Sequence, residues 1–224
     1  MLVLAVDTAT PAVTAGLVEL EWAAPQPQVR TLTSRVTVDA RAHNEVLTPQ
    51  ILDCLAETGR SRAELGAVVT GIGPGPFTGL RVGMATAAAF GDALGLPVYG
   101  VCSLDAIASD SWLEIRDPEA ELLVVTDARR REVYWARYRA IGRVDGPQVC
   151  KPSQLDSADS TVIAGSASHV DLFDLPVLPV ETPSAAGLVR CVAADILAGV
   201  VPQPLTPMYL RRPDAIERSY QAVR

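Results

Sequence analysis

Aromatic residues make up only 5% of the 224-residue chain. With 49% of residues hydrophobic, Ala, Val and Leu must fill whatever core the chain builds. Cysteine is sparse and scattered: Cys54, Cys102, Cys150 and Cys191 form no CxxC pair. Neither a zinc site nor a disulfide framework is therefore signalled, and reduced thiols in a cytoplasmic protein are expected. Long apolar runs are missing as well, none reaching the roughly 20 residues of a membrane span. The first residues, Met1 to Asp7, lack the basic start of a signal peptide and read as a strand. Positive charge is short, the formal net charge being −7. Affinity for nucleic acid rests largely on Lys and Arg neutralising phosphates, so the chain as a whole is poorly placed to bind it. The local exceptions are Arg129-Arg130-Arg131 and a tail with Arg211, Arg212, Arg218 and Arg224. A solvated hairpin turn is the plain reading of the run, contact with RNA or a partner the sharper one.

What is present is an alternation of strand and helix signals. Leu2 to Thr8 and Ala12 to Glu19 suggest a hairpin, and Val29 to Val38 a third strand. A helix is expected from about Asn44 to Thr58, ended by Gly59, then a short strand from Ala67 to Ile72. After the rigid turn Gly73-Pro74-Gly75-Pro76 a small-residue helix runs to about Leu94, and Val98 to Val101 forms a strand. This order indicates an α/β domain with a mixed sheet. Leu122 to Asp127 followed by Glu132 to Arg139 repeats the opening at an offset of 120 residues, Asp7 falling on Asp127 and Val13 on Val133. A duplicated fold is therefore expected, with halves at 1–103 and 104–201 and a tail at 202–224 that could return to the first half. Thr161 to Gly165 and Ser184 to Leu197 read as a further strand and helix.

Motifs for catalysis are thin. The stretch Gly71 to Gly79 follows a strand and opens a helix, where an anion could sit. It lacks the Lys of GxxxxGK[ST], and Pro76 occupies the third glycine position of the dinucleotide fingerprint. Its two prolines favour a fixed turn. His43 and His169 are the only histidines and show no metal spacing. His43 fits a helix start or an interface, and His169 a surface position. Ser166 and Ser168 do not match the GxSxG elbow.

The two helices of the first half carry more information. Gly79, Gly83, Ala87 and Gly91 recur every four residues and form one stripe. Interior glycines cost about 1 kcal/mol each relative to alanine, a cost tolerated where another backbone approaches closely. That backbone is either the chain's own sheet or a partner. On the preceding helix Cys54, Leu47, Ile51, Leu55 and Leu52 span roughly 160° of the circumference, more than one sheet covers. The surplus, Leu52 especially, invites association. His43, Glu45, Leu47, Ile51, Leu52, Leu55, Gly79, Arg81, Gly83 and Ala87 are the candidate interface. On this reading Leu47→Asp or Gly83→Arg should abolish pairing and spare the fold.

Four strings, Val6 to Thr10, His43 to Pro49, Gly73 to Gly83 and Tyr99 to Leu104, resemble the TsaB (YeaZ) family, and Pro207 to Arg211 fits too. The resemblance covers most of residues 1–110 closely and the rest loosely. It implies an actin-like (ASKHA, ribonuclease H-like) duplicated fold. It also implies a role in making N6-threonylcarbamoyladenosine at position 37 of tRNAs that read ANN codons. In the family the catalysis belongs to the paralogue TsaD, with an HxxxH metal pair; here Leu47 stands where the second histidine would be. Enzymes of the actin-like superfamily place a glycine-containing turn after the first strand's Asp, whereas Asp7 is followed by Thr8 and Ala9, and Asp127 by Ala128 and Arg129. The nucleotide cleft thus reads as degraded, with no cofactor and no metal. Implied partners are TsaD in a heterodimer through the same two helices, TsaE, a second copy in isolation, and tRNA only through the complex. Pro76 and Asn44 stand where the family commonly has Ser. The competing expectation is an actin-like ATPase or a glycoprotease-type hydrolase acting alone.

Overall fold

The opening segment is rich in β-branched and small apolar residues, and it builds two strands buried on both faces. In the computed structural model, which describes residues 1–38 and 43–211 and no side chain at 43 and 44, β1 is Leu2–Asp7 and β2 is Ala12–Ala23. They pair antiparallel with Asp7 opposite Thr14. The edge strand β3 (Gln26–Val38) follows, then helix α1 (His43–Thr58), β4 (Leu65–Gly71), helix α2 (Phe77–Leu94) and β5 (Val98–Val101). β4 lies parallel to β1 on its other side, and β5 parallel to β4. The sheet order is β3-β2-β1-β4-β5.

The second half repeats this plan. After α3 (Ser103–Ser111) come β6 (Leu122–Asp127), β7 (Val133–Arg139), β8 (Gly142–Cys150) and β9 (Val162–Gly165). Their order is β8-β7-β6-β9, with β7 antiparallel to β6 and β9 parallel to it. Two halves with the same strand order and the same antiparallel second strand constitute a duplicated actin-like, ribonuclease H-like fold. Asp127 lies opposite Val133 where Asp7 lies opposite Thr14. The second hairpin is thus one residue shorter, and Val133 answers to Thr14, not to Val13. The chain closes with the one-turn helix α4 (Ala167–Val170), α5 (Ala185–Leu197) and an extended tail.

Helices α1 and α2 cover one face of the first sheet, where Leu47, Ile51, Cys54, Leu55 and Ala87 join Leu4, Val6 and Val13 in one core. The opposite face receives α5, whose Ala185, Leu188, Val189, Ala193 and Ile196 pack on Val3, Ala5 and Val18. The chain thus returns to the first half at α5, ahead of the tail. Between the halves α3 packs against both α5 and the second sheet. The joint is fastened by Asp110 of α3, which accepts from the Ser184 amide at 3.1 Å and hydroxyl at 2.9 Å, and by the ion pair of Asp110 with Arg190. Arg212, Arg218 and Arg224 of the predicted basic tail lie outside the described residues, as do Asp39 and the side chains of His43 and Asn44.

Candidate functional site

Two places concentrate the sequence-predicted residues: the carboxyl end of β1, and the helices α1 and α2. At the first, Asp7 is fully buried. Burial raises its carboxyl to about 6, against the lowering pull of the Ser103 hydroxyl and of the Ala9 and Thr10 amides. Ser103 Oγ donates to Oδ2 at 2.5 Å and the Ala9 amide to Oδ1 at 2.9 Å. The glycine-rich loop closes over this end. A Cβ on Gly71 would lie 1.8 Å from Asp7 Oδ2, and one on Gly75 would lie 2.1 Å from the Ala9 carbonyl oxygen. These glycines make room for the β1 turn, which is the fixed-turn reading of the loop. The α2 amino terminus starts at Pro76 without a side-chain cap.

The small-residue stripe of α2 also serves the chain's own interior. Gly79, Gly83, Ala87 and Gly91 are all buried. A Cβ on Gly83 would meet Thr8 Oγ1 at 2.5 Å, and one on Gly91 would meet Val98 Cγ2 at 2.2 Å. On α1 the apolar arc divides. Leu47, Ile51, Cys54 and Leu55 cover about 100° and face the sheet, while Leu52 stays 47% exposed. Of the expected partner interface, Leu47, Ile51, Leu55, Gly79, Gly83 and Ala87 are buried within the chain itself: the apolar side chains pack on β1, β2 and β4, and Gly83 makes room for Thr8 of the turn after β1. Of the ten residues, Glu45, Leu52 and Arg81 are exposed, and the His43 side chain is not described.

What the outer face offers instead is a ledge at the start of α2. Phe77, 40% exposed, stacks on Tyr209 of the tail with ring centroids 5.0 Å apart. The Arg81 guanidinium lies 3.5 Å from the Phe77 centroid, and its Nε donates to Tyr209 Oη at 2.7 Å. An open groove of about 510 Å³ runs beside it, lined by Phe77, Thr78, Arg81, Val82, Ala85 and Thr86. Sequence reasoning passed over Phe77 and Ala85. An apolar residue at the first helical position, followed at i+4 and i+8 by Arg81 and Ala85, was the available signal.

In the second half Asp127 Oδ1 accepts from the Arg129 amide at 2.7 Å, repeating the Asp7–Ala9 turn. His169, read from the sequence as a surface residue, is mostly buried beside it, with Nε2 3.7 Å from Asp127 Oδ1. Ser168 Oγ lies 3.0 Å from the other ring nitrogen. The His169–Asp127 gap exceeds hydrogen-bond distance. Among the described residues no group of three or more His, Cys, Asp or Glu is placed to hold a metal ion, and no helix is long and apolar enough to cross a membrane.

The fold and these turns set the chain beside known proteins. The profile of the family described as TsaD, tRNA N6-adenosine threonylcarbamoyltransferase, matches residues 35–203. The protein named tRNA threonylcarbamoyladenosine biosynthesis protein TsaB of Escherichia coli is 33% identical over 139 residues, 62% of this chain and 55% of that one. YeaZ from Pseudomonas aeruginosa superposes with a TM-score of 0.73 at 26% identity, over 93% of this chain and 100% of that one. The chain belongs to the TsaB (YeaZ) family. An uncharacterised Mycobacterium tuberculosis protein is similar over nearly its whole length, 54% identical across 214 residues, 95% of this chain and 93% of that one. The residues that the TsaD profile matches include the glycine loop and α2 of this chain.

Proposed function

We propose that this chain is a non-catalytic subunit in tRNA N6-threonylcarbamoyladenosine formation, supporting a TsaD-type transferase in the cytoplasm. The observation that carries this reading is the state of Asp7. The carboxylate at the carboxyl end of β1 is wholly buried, hydrogen-bonded to Ser103 and Ala9, and roofed by Gly71 and Gly75. A group so enclosed presents no oxygen to a metal or phosphate. The names of the TsaB relatives supply the pathway, and the TsaD profile supplies the partner by kinship.

The partner docks on the outer face of α1 and α2, through Leu52, Phe77, Arg81 and Ala85. An exposed leucine and an exposed aromatic beside an open groove are the composition of an interface core. A second copy of the chain would use the same face when TsaD is absent. TsaE and tRNA join through the complex, since the acidic chain has little general affinity for RNA.

Co-expression with the same organism's TsaD, size-exclusion chromatography and a tRNA threonylcarbamoylation assay test this directly. Joint elution, with modification requiring both chains, is the expected result. Separate elution together with full modification by TsaD alone would overturn it.

A further inference from the structure

The tail beyond α5 touches both halves in alternation. Val200 accepts from Tyr99 Oη at 2.8 Å, which pins the tail's start to β5. Pro202, Pro204 and Pro207 then carry no amide, so the segment crosses the first sheet's edge without joining it. Leu205 packs with Ile72 against Leu80 and Met84 of the first half. The Met208 amide donates to the Ile72 carbonyl at 2.8 Å, while the half-buried side chains of Met208 and Leu210 pack against the core of the second half. Tyr209, between them, points the other way onto Phe77 and Arg81 of α2. Such alternation is the period of an extended chain laid between two surfaces. Two residues on, Arg211 Nη1 donates to the Ala128 carbonyl at 2.7 Å, and its Nε lies 3.3 Å from Glu132.

The segment that Arg211 grips is the strained one. Arg129, Arg130 and Arg131 have φ of 61°, 51° and 62°, three successive non-glycine residues in the left-handed region. That conformation costs on the order of 1 kcal/mol or more per residue and persists only where the surroundings enforce it. Here they are the Asp127 carboxylate on the Arg129 amide, the Ala128–Glu132 backbone pair, and Arg211.

We infer that residues 205–211 form a strap coupling the outer face of α2 to the arginine turn of the second half. Tyr209 is its handle and Arg211 its grip. Whatever lifts Tyr209 from Phe77 and Arg81 draws Arg211 off Ala128 and lets the turn at 129–131 relax. The halves are joined at their seam by the chain's own tail, and an event on the first half is felt at a basic turn on the second.

Hydrogen–deuterium exchange on the full chain tests the coupling without any partner. Tyr209→Ala removes contacts only to the first half. It is expected to raise exchange across residues 128–132 by roughly fivefold or more, while β1 and β4 stay protected. Arg211→Ala removes contacts only to the second half and is expected to raise exchange at residues 77–81 as well. Protection retained in β1 and β4 separates this local release from general unfolding. If each variant changes exchange only on the side it touches, the tail is two independent anchors and the inference fails.

Discussion

The Thr8 hydroxyl accepts a hydrogen bond from the Gly83 amide at 2.9 Å and donates one to the Gly79 carbonyl at 2.6 Å. It bridges the donor and acceptor that an α-helix would pair with each other, so the turn after β1 is stitched into the first turns of α2. Gly83 is there because Thr8 must come this close, whereas Gly91 makes room for Val98.

Gly83→Ala tests that stitch. Alanine gains about 1 kcal/mol in helix propensity, but its Cβ would lie 2.5 Å from Thr8 Oγ1, and overpacking costs about 1–3 kcal/mol. A net loss is expected, read as a lower urea midpoint at unchanged slope. A midpoint raised above wild type would show that the contact yields freely. Gly83→Arg should damage the fold as well as any pairing.

Leu47→Asp and Leu52→Asp should separate the two faces of α1. The first places an unpaired charge in the core and should cost about 4 kcal/mol or more. The second lies on the surface and should change stability by no more than about 0.5 kcal/mol, yet abolish co-elution with TsaD. Wild-type stoichiometry with Leu52→Asp, or with Ala85→Arg, would remove the outer face from the proposal.

Asp7 should make the protein less stable as pH rises through a defined window. Its folded value of about 6 lies above the ordinary 3.8, so between these values the folded state binds the extra proton and the unfolded state does not. Stability from this group is full below about pH 4, falls as pH rises to about 6, and stays low above it, a loss on the order of 3 kcal/mol. Asp7→Asn cannot ionise. Its unfolding free energy relative to wild type should therefore climb between pH 4 and 6 and then level off. A constant difference across that range would show that Asp7 is not held protonated by burial.

Calorimetric titration of the isolated chain with Mg·ATP and with zinc should show no stoichiometric binding. Saturable binding of ATP at one site would revive the ATPase alternative, and the roof formed by Gly71 and Gly75 would have to open to admit it.

Much of the first half was legible because its signals are local. Gly95 in the left-handed conformation ends α2 at Leu94, as the Gly95 and Pro97 pair suggests. The hairpin of β1 and β2 and the repeat that sets Asp7 on Asp127 came from apolar runs and spacing. Three elements escaped: β8, α3 and the one-turn helix α4. β8, reading Gly-Arg-Val-Asp-Gly-Pro-Gln-Val-Cys, contains two glycines and a proline and lacks clean alternation, and it exists because β7 pairs with it. α3, with Ser at three of nine positions, carries Leu104, Ile107 and Ala108 at helical spacing but is only nine residues long, too short a run to stand out. It forms in the space between the second sheet and α5, both distant in sequence.

Sequence alone determined the elements of the first half, the duplicated plan and the family, because those follow from residue periodicity and from strings that survive in order. It also counted the apolar arc of α1 and found it too wide for one sheet. Which residues of that arc face the sheet, and whether the glycine stripe meets a partner or Thr8, was decided only by the tertiary structure. A stripe records that something comes close; only the position of β1 beneath α2 says what. The same holds for the tail, whose prolines exclude a strand but whose course over both halves depends on Ile72, Phe77 and Ala128, far away in the chain.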